Sequence, residues 1–481
     1  MPFLGRSAVN PGGEPFVQKE KMTSSSSIAP AAPATSRPLW RTYLAILLPM
    51  ILTNTLQVAA GTIDGIYLGQ MLGVQAIAAV SAFFPAFFML LAIIIGLSTG
   101  ATVLIGQAWG ARNPEKVRSI AGTAIALALT TGIVVSVAGG VFASSLLQGL
   151  GTSPDILPEA TLYARIMFVG SPLIILLWLM TSMSRGVGDA VSPLWTLAVA
   201  TIITMICTPA LIRGWGGMPR LGVASAAVST LVAFALALAW MARRWLRASH
   251  PLAPNVELLC QIRFDLPTVQ RMLRIGIPSS LQMFTAALAE IVLLGLVNGH
   301  GYNATAAYGA VNQVMSWIQL PAMSLGITAT VLSAHAIGAG RNQRVLDIVR
   351  AGLWLNIVVT GAVVSIVYFM APAVISLFLT DGPTASLAQD LLRTVAWSVV
   401  ILGAANVVVG AMRASGTVLW PAMLGMVSIL GVEVPFAYWL HSRIGISGIW
   451  WAYTVGFGAM LLLQLMYFRW GWRRQRIERL V

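Results

Sequence analysis

Residues 101–117 read ATVLIGQAWGARNPEKV, and residues 329–345 read ATVLSAHAIGAGRNQRV. Both segments begin with Ala-Thr-Val-Leu, carry Gly-Ala nine residues further on and end in valine, so matched positions differ by 228. His335 therefore corresponds to Gln107. Three further pairs keep this offset, namely Arg185 with Arg413, Gly188 with Gly416, and Pro193 with Pro421, while Pro49 and Pro278 differ by 229. A register that holds across several loops and helices indicates two copies of one unit.

The composition of the whole chain places this duplicated unit in a membrane. Of its 481 residues, 57% are hydrophobic and only 9% are charged, whereas soluble proteins carry about 25% charged residues. A cytosolic enzyme and a disordered scaffold are therefore excluded. Twelve apolar stretches are long enough for a helix to cross about 30 Å of hydrocarbon. They lie near residues 43–69, 78–107, 119–147, 160–184, 191–213, 221–242, 275–298, 305–335, 349–379, 391–412, 419–440 and 447–469.

The basic residues test this span count independently. The chain holds 29 Lys and Arg against 15 Asp and Glu. If the N-terminus is cytoplasmic, 24 of the 29 basic residues fall in cytoplasmic segments, as the positive-inside rule requires. Topology thus explains the positive charge, which gives no reason to expect a nucleic-acid partner. The sequence predicts a monomeric, multi-pass protein of a bacterial inner membrane, with the lipid bilayer around it and both termini in the cytoplasm.

Six spans per unit is an even number, so both units enter the membrane from the same side. The predicted fold is an all-α membrane protein with twelve transmembrane helices in two six-helix lobes, related by a pseudo-two-fold axis along the membrane normal. A ligand cavity is expected between the lobes, with alternating access by rocking of one lobe against the other. Within the region between the lobes, residues Leu266 to Leu273 are expected to form an amphipathic helix along the membrane surface.

The predicted organisation along the chain has five parts. They are a disordered cytoplasmic tail over 1–36, an N-terminal lobe over 37–242, a cytoplasmic linker over 243–274, a C-terminal lobe over 275–470, and a basic cytoplasmic tail over 471–481.

Three short motifs accompany the repeat. They are Pro49, Asp64-Gly65 and Gly69 in the first span, Gly96-Leu97-Ser98-Thr99-Gly100 and Gln107-Ala108-Trp109-Gly110-Ala111 in and after the second, and Arg185-Gly186-Val187-Gly188-Asp189 after the fourth, echoed by Arg413-Ala414-Ser415-Gly416. Together with twelve spans and the repeat, these motifs resemble the multidrug and toxic compound extrusion (MATE) family over nearly the whole chain after the tail. The resemblance implies a secondary antiporter, without a cofactor, that exports amphipathic and often cationic compounds in exchange for H⁺ or Na⁺.

The resemblance also bears on the ion site. In the DinF-like branch of the family, a proline in the first span precedes a cation-binding aspartate by fifteen residues, and Pro49 and Asp64 keep this spacing. The same branch often has Asn and Asp before a proline in the fifth span, where this chain has Thr204 and Thr208. NorM-like members usually place an aspartate in the tenth span, where this chain has Leu402. The resemblance therefore points to Asp64.

Only three of the fifteen acidic residues lie inside predicted spans, namely Asp64, Glu290 and Glu433. Burial of a lone carboxylate in a membrane is unfavourable, so such residues usually face a cavity and serve ions, protons or substrate. Removal from water favours the neutral form of a carboxyl group, which allows proton exchange near neutral pH. We expect Asp64 to carry the coupling, with contributions from the other two acids, although each of the three also has a purely structural interpretation. Four polar neighbours are assigned to the same coupling site: Asn54, Gln57, Thr204 and Thr208.

A second set of residues is predicted to line the substrate cavity. Methionine side chains repack around varied ligands, and aromatic ring faces attract organic cations. A residue of a span more often faces lipid or a neighbouring helix, and this interpretation stays open for each of them. The set consists of Gln282, Met283, Gln313, Trp317 and Asn406.

The main alternative function is a flippase or exporter of lipid-linked precursors or small metabolites from a related superfamily. Such flippases commonly carry more spans and a cavity rich in Arg or Lys, whereas the arginines here lie mainly at cytoplasmic span edges. An enzyme would need clustered carboxylates or a metal motif, and ATP-driven transport would need a Walker A motif. The sequence has none of these. It leaves open the substrate and the choice between H⁺ and Na⁺.

Overall fold

Helices build the fold of the chain, which a computed structural model describes over residues 38–217, 219–379 and 382–481. The tail predicted over 1–36 lies outside these residues. Among the described residues, eleven helices are long and apolar enough to cross a membrane. One further span consists of two consecutive helices that meet at an angle of 52°, which brings the number of spans to twelve. We number the spans in chain order: α1 (Leu39–Leu72), α2 (Phe84–Gly110), α3 (Pro114–Gly149), α4 (Leu157–Val169 and Ser171–Gly186), α5 (Val191–Arg213), α6 (Ala224–Arg247), α7 (Leu266–Asn298), α8 (Tyr302–Gly338), α9 (Arg344–Phe369), α10 (Gly382–Ala414), α11 (Leu419–Ile444) and α12 (Ile446–Arg474).

Pro85 and Pro372 begin new helices at points where the sequence predicts continuous spans. The second span is predicted over 78–107, but a short helix, Val74–Ala82, ends before α2 begins. The ninth span is predicted over 349–379, but α9 ends at Phe369 and a short helix, Ala371–Ser376, follows. A proline stands in the first turn of each later helix. Because proline lacks the N–H that a continuing helix needs, it begins a new helix at these points.

The segment between the lobes is shorter than the linker predicted over 243–274, because α6 runs on to Arg247. The predicted surface helix over Leu266–Leu273 is wrong, since these residues form the first turns of α7. Met272 is fully buried against α2. A Cβ atom on Gly100 would lie 2.7 Å from the carbonyl oxygen of Met272, so the two backbones are in direct contact. The buried residues of this stretch therefore pack on the N-terminal lobe.

The duplication is also visible in the backbone. Gly73 and Gly301, which differ by 228, precede helices with φ of 87° and 89°. Gly188 and Gly416 keep the same offset and have φ of 89° and 81°. Side chains other than glycine rarely adopt this left-handed region. The two lobes, α1–α6 and α7–α12, thus repeat their turns as well as their helices, which confirms the predicted two-lobed fold.

The hydrophobic cores of the lobes cross the lobe boundary at the first span of each. Tyr43 and Leu47 of α1 are buried in a cluster that is built mainly by α8, α9 and α10. Met272 and Ile275 of α7 are buried in the cluster of the N-terminal lobe. The hydroxyl of Tyr43 also donates a hydrogen bond to the carbonyl oxygen of Leu325 at 2.9 Å. Each lobe therefore holds the beginning of the other lobe's first span.

Glycines bring the lobes into backbone contact where α2 and α8 end. A Cβ atom on Gly338 would lie 2.0 Å from the carbonyl oxygen of Gln107, and one on Gly110 would lie 2.2 Å from that of His335. We call the end of the bundle at these glycines the closed end. It contains the repeated Gly-Ala motif, so that motif marks the place where the lobes touch.

As far as the described residues show, the hydrogen bonds between the lobes reach from the closed end to about the middle of the bundle. They join Tyr43 to Leu325, Asn54 to Ser324, Met50 to Thr328, Ala92 to Ser280, Gln107 to Ala414, Gln107 to Leu480, and Gly186 to His335. We call the opposite half, where the described part of the chain shows no such bond, the open end.

The loop between α4 and α5 is fixed by Asp189. Its Oδ1 atom accepts hydrogen bonds from the backbone N–H groups of Val191 and Ser192, both at 3.0 Å. Its Oδ2 atom lies 3.5 Å from Nε2 of His250, which follows α6. Burial alone would raise the pKa of Asp189, but the hydrogen bonds from His250 and Ser192 outweigh this effect and hold the pKa below its ordinary value.

We expect Asp189→Ala to lower the free energy of unfolding by about 0.5–2 kcal/mol, because the first turn of α5 loses its acceptor. Asp189→Asn keeps an acceptor oxygen and should lose less. Since the pKa of Asp189 is lowered, its contribution is fully present above the ordinary value near 3.9 and disappears only as pH falls through the lowered value. The loss caused by Asp189→Ala should thus be at least as large at pH 5 as at pH 7 in thermal unfolding, and a loss that shrinks markedly at pH 5 would contradict this.

Candidate ion-coupling site

Asp64 lies on α1 and faces α5. Its Oδ1 atom accepts a hydrogen bond from the hydroxyl of Thr208 at 3.3 Å. The Thr208 hydroxyl is 2.8 Å from that of Ser229 on α6, and Ser229 donates to the carbonyl oxygen of Ser225 at 2.6 Å. Thr208, Ser229 and Ser225 are all buried. A chain of hydroxyl groups therefore runs from the carboxyl group of Asp64 across α5 into α6.

This chain responds to the protonation state of Asp64, because each hydroxyl has a single proton to donate. When Asp64 is ionised, Thr208 donates to it and can accept from Ser229. When Asp64 carries a proton, it can donate to Thr208, which then donates to Ser229, and Ser229 to the carbonyl oxygen of Ser225. In both arrangements the hydroxyls of Thr208 and Ser229 keep a hydrogen-bond partner. Asp64 can therefore gain or lose a proton while these two buried hydroxyls stay hydrogen-bonded.

The other residues assigned to this site are not all gathered around Asp64. Thr204 lies one turn before Thr208 but donates within its own helix, to the carbonyl oxygen of Ala200 at 3.0 Å. Asn54 donates to the hydroxyl of Ser324 in the C-terminal lobe at 2.9 Å and thus belongs to the contact between the lobes. Gln57 lies between the two and is half-buried. Of the four predicted neighbours, Thr208 is the one that hydrogen-bonds Asp64.

Glu290 on α7 sits in a more complete cluster. Its Oε1 atom accepts from the hydroxyl of Tyr308 and from Nδ2 of Asn312, the latter at 2.7 Å. Its Oε2 atom accepts from the hydroxyl of Tyr453 on α12 at 2.9 Å. The two tyrosine oxygens are 3.0 Å apart. Three donors thus converge on one carboxylate from two helices, α8 and α12.

Glu433 approaches the same face of α12 from α11. It is 6% exposed, and no hydrogen bond of its side chain occurs within the described ranges. A Cβ atom on Gly456 would lie 2.7 Å from its Oε2 atom. Gly456 is one helical turn beyond Tyr453, so Glu290 and Glu433 contact α12 at successive turns. The local geometry follows from Pro435, since α11 contains a π-helical segment that ends at Glu433.

Each cluster lies about the same distance along its helix from a contact between the lobes. Asp64 is ten residues past Asn54, and Glu290 is ten residues past Ser280, whose hydroxyl donates to the carbonyl oxygen of Ala92 at 2.6 Å. At 1.5 Å per residue, each acid is about 15 Å further along its helix, toward the open end. Each lobe therefore carries one carboxylate on its first span, placed where the lobes share no hydrogen bond in the described structure.

The predicted cavity residues are dispersed. Gln282 accepts from Nη2 of Arg413 at 3.0 Å and packs against Gly425, which makes it part of a contact among α7, α10 and α11. Asn406 lies at the crossing of α8 and α10. A Cβ atom added to Gly326 of α8 would lie 2.9 Å from the Cβ atom of Asn406. The remaining three are half-buried: Met283, Gln313 and Trp317.

The hydrogen-bond partners of Glu290 were not predicted from the sequence. Tyr453 lies in an apolar span, 163 residues from Glu290, and no local pattern marks it. Tyr308 of α8 also donates to Glu290. Asn312 has a recognisable signal, since it lies one helical turn after Tyr308 and presents its amide on the same face.

The closed end contains a matched pair of contacts that the repeat offset connects. Nε2 of Gln107 donates to the carbonyl oxygen of Ala414 at 2.7 Å, from the N-terminal to the C-terminal lobe. Nε2 of His335 lies 2.7 Å from the carbonyl oxygen of Gly186, in the reverse direction. A carbonyl oxygen can only accept, so this nitrogen carries the proton. Gln107 and His335, and likewise Gly186 and Ala414, differ by 228; we call these two contacts the latch.

Comparison with known proteins follows the same duplication. The MatE family model matches residues 49–210 and, a second time, residues 278–439. The chain belongs to the MatE family. The two matched segments begin at Pro49 and Pro278, so their shift of 229 residues agrees with the offset of those prolines.

Relatives and solved structures agree with this assignment. The probable multidrug resistance protein YoeA of Bacillus subtilis (strain 168) is 37% identical over 453 residues, which cover 93% of this chain and 97% of that protein. An FAD transporter of Shewanella oneidensis is 27% identical over 350 residues, or 72% and 76% of the two chains. A MATE crystal structure in complex with MaL6 superimposes with a TM-score of 0.82 at 22% identity, covering 90% of this chain and 96% of that one.

Membership of the MatE family confirms three predictions made from the sequence. The chain is a multi-pass membrane protein with the two-lobed, twelve-helix fold. It is a transporter and not an enzyme, and transporters of this family require no cofactor. The relatives named as multidrug resistance proteins place it among efflux transporters.

Proposed function

We propose that this protein is a proton-coupled antiporter that exports amphipathic, cationic organic compounds through a cleft between its lobes. The observation that carries this proposal is the pair of carboxylates on corresponding spans, Asp64 on α1 and Glu290 on α7. Each is held by hydroxyl groups of its own lobe and lies about 15 Å beyond the contact between the lobes. An exchanger needs acids that both a proton and a cationic cargo can reach in turn, and this placement provides them.

The hydrogen-bonding groups favour the proton over Na⁺. A sodium ion needs several oxygen lone pairs directed at one point. The partners of Glu290 direct donors at it instead, two hydroxyl protons and one amide group. In the described part of the chain, no group of three or more His, Cys, Asp and Glu side chains is placed to hold a metal ion. A proton requires only that donors rotate, which the hydroxyl chain of Asp64 also allows.

The proposed topology follows from the basic residues. The closed end contains the loops with most of the Arg and Lys, and we assign it to the cytoplasm of a bacterium, with both termini there. The structure then corresponds to a state that is open to the outside. In this state the acids of the open end face the exterior, where a proton enters and a cargo leaves. We also propose that the transporter acts as a monomer, since the two lobes of one chain suffice to form the proposed cleft.

The charge of the proposed site also bears on the cargo. The three acids inside the predicted spans lie in the open half, whereas the half-buried arginines Arg185 and Arg413 lie near the closed end. A cleft with this distribution favours cations. The relatives named as multidrug resistance proteins support such a cargo. The FAD transporter among the relatives makes an anionic metabolite the appropriate comparison compound.

The deciding experiment uses purified protein in proteoliposomes that contain a fluorescent organic cation such as ethidium. We expect an imposed proton gradient to drive transport against the cation gradient, and a sodium gradient of equal size to drive none. Removal of both gradients should abolish accumulation, which also excludes a channel. Transport that follows the sodium gradient would refute proton coupling, and accumulation of FAD without that of ethidium would refute the cationic cargo. Liposomes without protein serve as the control.

A further inference from the structure

The last seven residues, 475–481, return across the closed end and contact both lobes; we call them the strap. The backbone N–H of Leu480 donates to Oε1 of Gln107 in the N-terminal lobe at 2.8 Å. The carbonyl oxygen of Ile477 accepts from Nδ2 of Asn342 in the C-terminal lobe at 3.1 Å. The strap begins directly after α12, whose last turn is fixed by a hydrogen bond from Nε1 of Trp472 to the hydroxyl of Ser415 at 2.8 Å.

Apolar contacts follow the same division. Leu480 and Val481 pack against the hydrophobic cluster of the N-terminal lobe. Ile477 packs against the cluster of the C-terminal lobe. A Cβ atom on Gly416 would lie 2.9 Å from Cδ1 of Leu480, so Leu480 lies in the seam between the two lobes. The strap therefore joins the lobes by its side chains and its backbone.

The strap also completes the latch. Gln107 is fully buried, and its amide makes two bonds: the nitrogen donates to Ala414 and the oxygen accepts from Leu480. Without the strap, this buried oxygen would lose its partner, which is unfavourable inside a protein. The corresponding residue of the other repeat, His335, contacts Gly186 without help from the strap. The strap is thus an asymmetric addition to an otherwise symmetric contact.

We propose that the strap holds the closed end shut and so sets how often the transporter opens toward that side. For the lobes to separate there, the distance between Gln107 and Asn342 must grow, and the strap is bonded to both. It must therefore leave one lobe. The residues after Ile477 detach from the N-terminal lobe, because the beginning of the strap is continuous with α12. This role concerns the equilibrium between states and goes beyond the proposed coupling and cargo.

The test measures opening directly. Ala334 is fully buried at the closed end, where its Cβ would lie 2.9 Å from a Cβ on Gly106. We place a reporter by Ala334→Cys in full-length protein that also carries Cys207→Ser and Cys260→Ser, and follow its maleimide labelling in proteoliposomes. Leu480→Asp should raise the labelling rate at least fivefold, since a carboxylate cannot remain in the apolar seam. The matched control is Arg476→Gln, which changes an exposed residue of the strap and should leave the rate within twofold.

A second reporter separates opening from unfolding. Gly61 of α1 has no neighbouring atom within 4 Å of an added Cβ and lies in the open half. With Gly61→Cys as the only cysteine, Leu480→Asp should leave the labelling rate unchanged or lower it. An unchanged rate at Ala334→Cys, or an equal rise at both reporters, would overturn the proposal. Neither labelling measurement requires a gradient or a cargo, so the result does not depend on whether the proposed antiport is correct.

Discussion

Asp64→Asn should reduce proton-driven efflux at least tenfold while leaving the protein folded. Asparagine keeps an oxygen that can accept from the hydroxyl of Thr208, so the contact between α1 and α5 survives. It cannot take up or release a proton, and the chain of hydroxyl groups through Ser229 then has nothing to respond to. The measurement is initial efflux of an organic cation from proteoliposomes under an imposed proton gradient. A tenfold loss corresponds to about 1.4 kcal/mol in an equilibrium or a barrier.

The control for this substitution is Asp155→Asn, which removes the same charge from an exposed loop and should leave efflux unchanged. Thermal unfolding of the purified variants shows whether each remains folded. Glu290→Gln forms the second arm, because it tests the C-terminal lobe in the same way. If only Asp64→Asn stops transport, the proton site lies in the N-terminal lobe; if only Glu290→Gln does, it lies in the other. Full gradient-driven efflux by both variants would refute the coupling role of these acids.

The two clusters lie one helical turn apart when the lobes are matched, and they differ in chemistry. By the offset of the first spans, Glu290 corresponds to Gly61, one turn from Asp64. Asp64 has one direct donor and a hydroxyl chain behind it, whereas Glu290 has three direct donors. Three donors hold an ionised carboxylate firmly, and a chain of hydroxyl groups adapts to either state. This contrast favours Asp64 as the group that changes its proton during the cycle.

Much of the fold could be predicted from the sequence because its signals are local or periodic. Hydrophobic stretches indicate spans, basic residues indicate sides, and the offset of 228 indicates two lobes. The acidic residues inside the predicted spans can also be identified from the sequence, because only three of the fifteen lie there. What could not be predicted is which helices face one another. Tyr453 became a partner of Glu290 only through the packing of α12 against α7 and α8, and Gln282 became a partner of Arg413 in the same way.

The closed end shows the same limit more sharply. The sequence relates Gln107 to His335 by the offset, and Arg185 to Arg413 by the same offset. It does not indicate that each of the first pair bonds the residue directly after the arginine of the opposite lobe, Gly186 or Ala414. That arrangement follows from the pseudo-two-fold axis, which brings equivalent positions of the two lobes together. A repeat in a sequence therefore predicts matched contacts without specifying the partners.

Gly338→Ala should open the closed end, and by a large factor. A Cβ atom at this position would lie 2.0 Å from the carbonyl oxygen of Gln107 and 2.7 Å from its carbonyl carbon, so the backbones of α8 and α2 must move apart. Overpacking of this kind is unfavourable by about 1–3 kcal/mol. The clash exists only while the lobes touch, so this energy is a difference between two states and should shift their ratio by roughly 5- to 150-fold.

The labelling rate of Ala334→Cys measures this shift, and the partner substitution Gly110→Ala should act alike, because its Cβ would lie 2.2 Å from the carbonyl oxygen of His335. Gly295→Ala is the matched control, since no atom lies within 4 Å of a Cβ added there on α7. If Gly338→Ala labels no faster than Gly295→Ala, the close approach at the Gly-Ala motif does not hold the lobes together. If it labels faster and efflux falls, the same motif that identifies the repeat also sets the balance between the two states of the transporter.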